Sequence, residues 1–146
     1  MTTTALQAMR TTLAAEHVCV FTYAVLGART SRTTQASLAR SLSDAYSQHR
    51  AHRDALIRMI RDLGVEPDAA APAYDLTRDL SSPTKVAAVA LHLEAGAAAT
   101  YADLVAATEG QDRAWAITAL NDAAVRELAF GGKPESFPGL AEFADR

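Results

Sequence analysis

Four residues at helical spacing carry the chemistry available to this 146-residue chain: Glu16, His49, His52 and Glu94. Each interrupts an otherwise apolar stripe. Leu6, Met9, Leu13, Glu16, Val20, Tyr23 and Gly27 recur at steps of three and four. So do Leu38, Leu42, Ala45, His49, His52, Leu56, Met59 and Leu63, and then Leu91, Glu94, Ala98, Tyr101 and Val105. That period marks the buried face of an amphipathic helix. A carboxylate on such a face must be paired, hydrogen-bonded or bound to metal, because desolvating it alone costs several kcal/mol. His49 and His52 lie three residues apart, so their rings can converge.

Two arrangements satisfy these side chains. In the first, Glu16, His49, His52 and Glu94 hold a metal ion: iron, manganese or zinc. Dinuclear bundle proteins place one Glu on each of two helices and a Glu-x-x-His pair on each of the other two. Here the second helix offers His-x-x-His. The fourth has no histidine, and past its first turn only Asp122 and Glu127 are acidic. The ligand set is therefore short of an imidazole and a bridging carboxylate. In the second arrangement, Arg53 beside the histidines uses its planar guanidinium to bridge Glu16 and Glu94, with His49 or His52 as hydrogen-bonding partners. This buried network, with no cofactor and no catalytic residue, is the expected one.

Neighbouring polar residues are read more plainly. His17 points about 100° away from Glu16 around the helix, towards a helix contact or the surface. His92 faces elsewhere than Glu94. Tyr23 and Tyr101 are expected to pack in the core with one hydrogen bond each. Cys19, the single cysteine, excludes an internal disulfide and a cysteine-based zinc site, and its neighbours suggest a buried small residue.

The elements that position these groups are four helices. The first opens with capping hydroxyls at Thr2 to Thr4 and runs to about Arg29. The second ends before Gly64, a left-handed terminator. The third starts after Ser82-Pro83 and ends at Gly110. The fourth, capped by Asp112, carries Trp115, Ile117, Leu120, Ala124 and Leu128 and stops at Gly131-Gly132. Residues 132–146 form an irregular tail able to dock Phe137 and Leu140. Short links make the first and last pairs antiparallel. The connection from Val65 to Ser82, with Tyr74 expected to pin it, is unusually long for a compact domain. About eighteen extended residues reach roughly 60 Å, and a ~28-residue helix spans only about 42 Å. The chain can thus return along the bundle and make the third helix parallel to the second. The predicted fold is all-α: one domain over 1–146, a four-helix up-down-down-up bundle with a long crossover between helices 2 and 3.

Composition agrees and narrows the function classes. Hydrophobic residues make up 49 % and charged residues 21 %, which disfavours disorder. Alanine dominates and strand-type alternation is missing. The net charge of −3 hides an excess of positive charge before residue 62 and of negative charge after it. The basic stretch, with Arg40, Arg50, Arg53, Arg58 and Arg61, lacks the aromatic or glycine-rich motifs of nucleic-acid binders, so no nucleic-acid partner is expected. No run approaches the ~18 uncharged apolar residues of a membrane span, and no cleavable leader pattern opens the chain. The expected location is cytoplasmic. Phosphate-binding and nucleophile-elbow motifs are absent.

One set of segments resembles a known family. Ala14-Ala15-Glu16-His17 leads into Tyr23-Ala24-Val25-Leu26-Gly27-Ala28-Arg29. His49 through Arg53-Asp54-Ala55-Leu56 follows, then Pro72-Ala73-Tyr74, Leu93-Glu94 with Tyr101, and Phe137-Pro138-Gly139-Leu140. In this order they resemble a ferritin-like domain family of unknown function common in actinobacteria, over nearly the whole chain. The resemblance implies a small helical bundle paired as a homodimer, and it implies no activity. Relatives that keep their metal ligands are oxidases, iron stores or hydroxylases, a pattern from which helices two and four depart. The expectation is a non-enzymatic bundle acting through self-association or a partner surface, with alanine-rich sides of helix three (Ala87-Ala88, Ala95 to Ala99) able to pack closely. A metal-dependent oxidoreductase with a degenerate site is the alternative, and a pocket between helices for a small apolar ligand is a third.

Overall fold

The computed structural model describes residues 3–140. The cap expected from Thr2 and the end of the tail, 141–146, lie outside the described residues. Four helices follow in order: α1, Thr3–Ala28; α2, Ala36–Asp62; α3, Pro83–Ala107; and α4, Gly110–Ala129. Among the described residues there is no strand.

Local sequence explains most boundaries. Gly64, at φ 75°, takes the left-handed conformation that closes α2, and its N–H donates to the Arg61 carbonyl at 2.8 Å. Ser82 caps α3, its hydroxyl accepting from the Lys85 N–H at 3.3 Å, with Pro83 in the first turn. The turn between α3 and α4 is tighter than expected. Only Thr108 and Glu109 separate them, and Glu109, not Asp112, holds the cap position. Gly110, expected to end α3, opens α4 instead.

Packing fixes the helix directions. Met9 and Leu13 of α1 meet Leu56 and Ile60 of α2, whereas Tyr23 and Leu26 meet Leu42 and Ala45, so the pair is antiparallel. Val86 and Ala90 of α3 share the cluster of Leu42 and Ala45, and Leu104 shares that of Leu56 and Ile60. Numbers rise together there, so α2 and α3 are parallel. Ala97, Ala98 and Tyr101 pack on Ala119 and Ala123 in the antiparallel α3–α4 pair. The bundle is up-down-down-up. The crossover runs along the outside of α1: the Asp68 carbonyl accepts from His17 Nε2 at 3.0 Å, and Tyr74 meets the Phe21 ring edge-on at 5.5 Å. Leu80 then packs on the core at the far end.

The stripes drift from the expected lines by single residues. Cys19 and Leu26 are buried where Val20 and Gly27 were expected, and Leu63 is exposed beyond Ile60. A straight 3.6-residue helix rotates slowly against a strict 3.5 repeat, which accounts for the slip. On α4 the expectation is corrected outright. Ala116, Ala119, Ala123 and Glu127 face inward, whereas Ile117 and Leu128 are exposed. Small alanines let α4 lie close on α3, and that gain in contact outweighs burial of the larger side chains elsewhere on the helix.

α1 is long and apolar enough, by length and composition alone, to cross a membrane. This corrects the expectation that no stretch would qualify. Its core-facing positions, Met9, Leu13, Tyr23 and Leu26, are occupied by α2 and α3, and Glu16 lies at its middle. The tail docks through its backbone: at Gly139, φ 78°, a Cβ would collide with the Ala98 carbonyl. Leu140 is partly buried and Phe137 half exposed.

Candidate functional site

Between the two apolar clusters the bundle carries a polar layer. Glu16, His49, Glu94 and Tyr101 are at most 1 % exposed, and His52 is 7 % exposed. The structure brings together all four of the residues that interrupt the stripes. His49 sits between the carboxylates: Nδ1 donates to Glu16 Oε2 at 2.8 Å and Nε2 donates to Glu94 Oε1 at 3.0 Å. A ring that donates from both nitrogens is an imidazolium. Burial pushes its pKa down, but the surrounding Cys19, Glu16 and Glu94 outweigh burial and raise it to about 12. Because both ring nitrogens are directed at carboxylate oxygens, the two glutamates are the partners that hold the proton.

The other members are hydroxyls and one guanidinium. Tyr101 donates its hydroxyl proton to Glu16 Oε1, and Tyr23 donates to Glu94 Oε1 at 2.5 Å. Burial, reinforced by the adjacent glutamates, pushes both phenols above their ordinary value, so they remain donors. With the Tyr101 proton committed, His52 Nδ1, 2.7 Å from that oxygen, must donate to it. Burial lowers the pKa of His52, so its ring is neutral and Nε2 keeps its lone pair. Arg126 of α4 donates from Nε to Glu94 Oε2 at 3.0 Å. Burial pushes Glu94 up, but His49, Arg126 and Tyr23 together bring it below the ordinary carboxylate range. The result is a continuous chain from His52 through Tyr101, Glu16, His49 and Glu94 to Arg126. It holds two carboxylates against two cations.

Arg53 is the correction. It was expected to bridge Glu16 and Glu94, yet its guanidinium pairs with the adjacent Asp54 at 2.8 and 2.9 Å, at the surface side of α2. Arg126 supplies the cation instead. The signal for it was the alanine spacing Ala116, Ala119, Ala123 on α4: one further turn along that line reaches Arg126 and Glu127. Tyr23 and Tyr101 pack in the core as expected, and each spends its hydroxyl proton on a carboxylate oxygen. His17 pins the crossover, and His92 is exposed.

The donor set can be tested against a metal. Glu16, His49 and His52 each offer an atom within 4.8 Å of the others, a grouping that does not include Glu94. Using it requires His49 to give up a proton held by two carboxylates, and the Tyr101 hydroxyl already stands between Glu16 and His52. On α4, the helix that should contribute a bridging carboxylate, Arg126 points its positive charge at Glu94. Neither Asp122 nor Glu127 joins the cluster. The residues do not fit a dinuclear centre.

An all-α, four-helix bundle with one crossover and a charge-balanced polar layer is the class that fold and site define. The chain belongs to the family described as a domain of unknown function, DUF4439, whose model matches residues 8–142. That region contains every segment on which the family resemblance rests. The chain is also similar to the crystal structure of a conserved hypothetical protein, rv2844, from Mycobacterium tuberculosis. The two share 30 % identity, the match covers 87 % of each chain, and the TM-score is 0.79. No curated protein matches.

Proposed function

We propose that this chain is a ferritin-like bundle that has exchanged metal chemistry for an internal ionic network and acts through its surface, first of all by self-association. The observation that carries this reading is the satisfaction of both buried carboxylates. Every oxygen of Glu16 and Glu94 accepts a hydrogen bond from a side chain of the same molecule. A divalent ion would enter a layer whose two negative charges are already balanced by His49 and Arg126. Supporting the surface role, Ile117, Val125 and Leu128 of α4 are 43 %, 65 % and 45 % exposed. At 100° per residue they fall within a single quadrant of the helix, with Asn121 between Ile117 and Val125.

Two measurements test it on the full chain. Elemental analysis after purification is expected to find no stoichiometric iron, manganese or zinc; one equivalent of any of them overturns the reading. Light scattering is expected to report a dimer that Val125→Glu with Leu128→Glu converts to a monomer. A monomeric wild type rejects self-association.

The alternative, a metal-dependent oxidoreductase with a degenerate site, is favoured by one observation: the convergence of Glu16, His49 and His52 within 4.8 Å. It requires His49 to be deprotonated and the Tyr101 hydroxyl displaced. Its signature is a metal content abolished by His52→Gln, a residue that the network uses only at its edge.

A further inference from the structure

A second site lies outside the bundle's centre, where the crossover passes the last turns of α1. Phe21 and Val25 on the outward face of α1, and Arg29 just past its end, follow one another at steps of four. Opposite them run Tyr74, Leu76, Arg78 and Leu80 of the crossover. The two lines enclose a groove of about 480 Å³, within the size range of small-molecule sites. Its floor is apolar and aromatic, built on the edge-to-face pair of Phe21 and Tyr74. Its charged groups are Arg29, Arg78 and Asp79.

The balance among those three carries the argument. Asp79 is committed: its carboxylate accepts from Lys85 Nζ and from the Ser81 N–H. Arg29 and Arg78 have no side-chain hydrogen bond or ion pair among the described residues. Arg10, Arg53, Arg61 and Arg126 pair with Asp68, Asp54, Glu66 and Glu94, whereas the two arginines of this groove pair with no acid among the described residues. Two unpaired guanidinia at the rim of an aromatic-floored groove make a complementary surface for one kind of molecule. A flat apolar body can lie on Phe21 and Tyr74, and an anionic head can take the planar fork of one or both arginines.

We propose that this groove binds a small organic anion with an aromatic or acyl body, through Arg29 and Arg78 at the head and Phe21, Tyr74 and Leu76 along the body. The site is independent of the polar layer and of any dimer contact on α4. It also gives the long crossover a task beyond reaching α3.

The test uses the whole chain and two fluorescent probes of the same shape. Anilinonaphthalene sulfonate carries the negative head; N-phenyl-1-naphthylamine is its neutral counterpart. Arg29→Gln with Arg78→Gln is expected to weaken the sulfonate by about tenfold or more, equivalent to about 1.4 kcal/mol. The same change is expected to leave the neutral probe within about twofold, a small fraction of that energy. Phe21→Ala is expected to weaken both. Arg32→Gln, in the neighbouring groove lined by Tyr23, Ala39 and Tyr46, serves as the control and is expected to change neither. Phenyl phosphate is expected to displace the sulfonate at lower concentration than inorganic phosphate. Unchanged sulfonate affinity in the double variant overturns the proposal. So does equal loss in Arg32→Gln, or equal displacement by the two phosphates. Circular dichroism of each variant separates lost binding from lost folding.

Discussion

Towards one end of the bundle Leu26, Leu42, Ala45, Val86 and Ala90 pack together, and towards the other Met9, Leu13, Leu56, Ile60 and Leu104 do the same. Between these apolar layers, Glu16, His49 and Glu94 fill the cross-section with three ionised groups that are at most 1 % exposed. The apolar layers gain from any side chains of roughly the right volume, because dispersion and the hydrophobic effect have little direction. The middle layer depends on direction. His49 satisfies both glutamates only when α2 stands at one height between α1 and α3. A slip by one turn, about 5.4 Å, would leave three charges without partners. The contrast assigns bulk stability to the ends and helix register to the centre.

The largest way to break this contrast is to remove the central cation. His49→Ala leaves Glu16 and Glu94 buried without the proton they share, and is expected to cost about 3–5 kcal/mol by denaturant titration. A loss below about 1 kcal/mol would show that the layer is solvated or rearranges freely. Replacing the whole layer, Glu16, His49, His52, Glu94 and Arg126 with leucine or methionine and Tyr23 and Tyr101 with phenylalanine, sharpens the point because no partner is left stranded. That variant is expected to equal or exceed the wild type in stability, since buried ion pairs seldom outperform packed apolar groups, while its helix register loosens.

In the apolar layers the expectation is set by volume alone. Leu56→Ala is expected to cost about 2–5 kcal/mol, and Leu56→Met less than about 1.5 kcal/mol. If Leu56→Met were as damaging as Leu56→Ala, the ends would share the specificity assigned to the middle.

Titration provides a smaller, directional test. The folded pKa of His49 is raised to about 12 from an ordinary 6.5. Its contribution is therefore complete below the unfolded value and is lost as pH rises towards the folded one. Above about pH 7 the folded state binds a proton that the unfolded state has released, so stability falls by up to about 1.4 kcal/mol per pH unit. Glu94 acts at the other end: its pKa is lowered, and its contribution is lost as pH falls through the acid range. The expected profile declines from pH 7 to 9, and His49→Gln flattens that decline. A wild-type profile flat across this window contradicts a protonated His49.

The smallest effect belongs to Arg53. Its pairing with Asp54 is on the partly exposed side of α2, so Arg53→Ala is expected to change stability by less than about 1 kcal/mol. A loss comparable with that of His49→Ala would return Arg53 to the centre and displace Arg126 from it.

The comparison also explains which parts of the molecule can be read from sequence. Glu16, His49, His52 and Glu94 are visible because each is a polar residue standing on an apolar stripe, and the stripe itself gives the facing. The direction of α3 is visible in the length of the crossover. Arg126 is not visible in the same way. It lies on α4, whose inward face is drawn in alanine, and alanine contrasts weakly with its surroundings in any periodic pattern. In the sequence Ile117 and Leu128 mark the core of α4, yet close α3–α4 approach requires small side chains at that contact and turns the larger ones outward. Arg53 fails for a related reason. Adjacency to His52 in sequence places it about 100° around the helix, where Asp54 is within reach and Glu16 is not. Tyr23 and Tyr101 are legible as buried rings that each need one hydrogen bond, but an aromatic ring gives the same stripe whichever acceptor its oxygen finds, so the glutamates are not legible as those acceptors.

The central claim is that an imidazolium, and not a metal, ties the two buried glutamates together. Nitrogen-15 NMR of the histidine side chains at pH 8.5, assigned through His49→Gln, measures this directly. The account predicts that His49 shows a proton on both Nδ1 and Nε2 at a pH where free histidine is neutral. A His49 ring with one unprotonated nitrogen, or with a nitrogen bound to an ion, would contradict it.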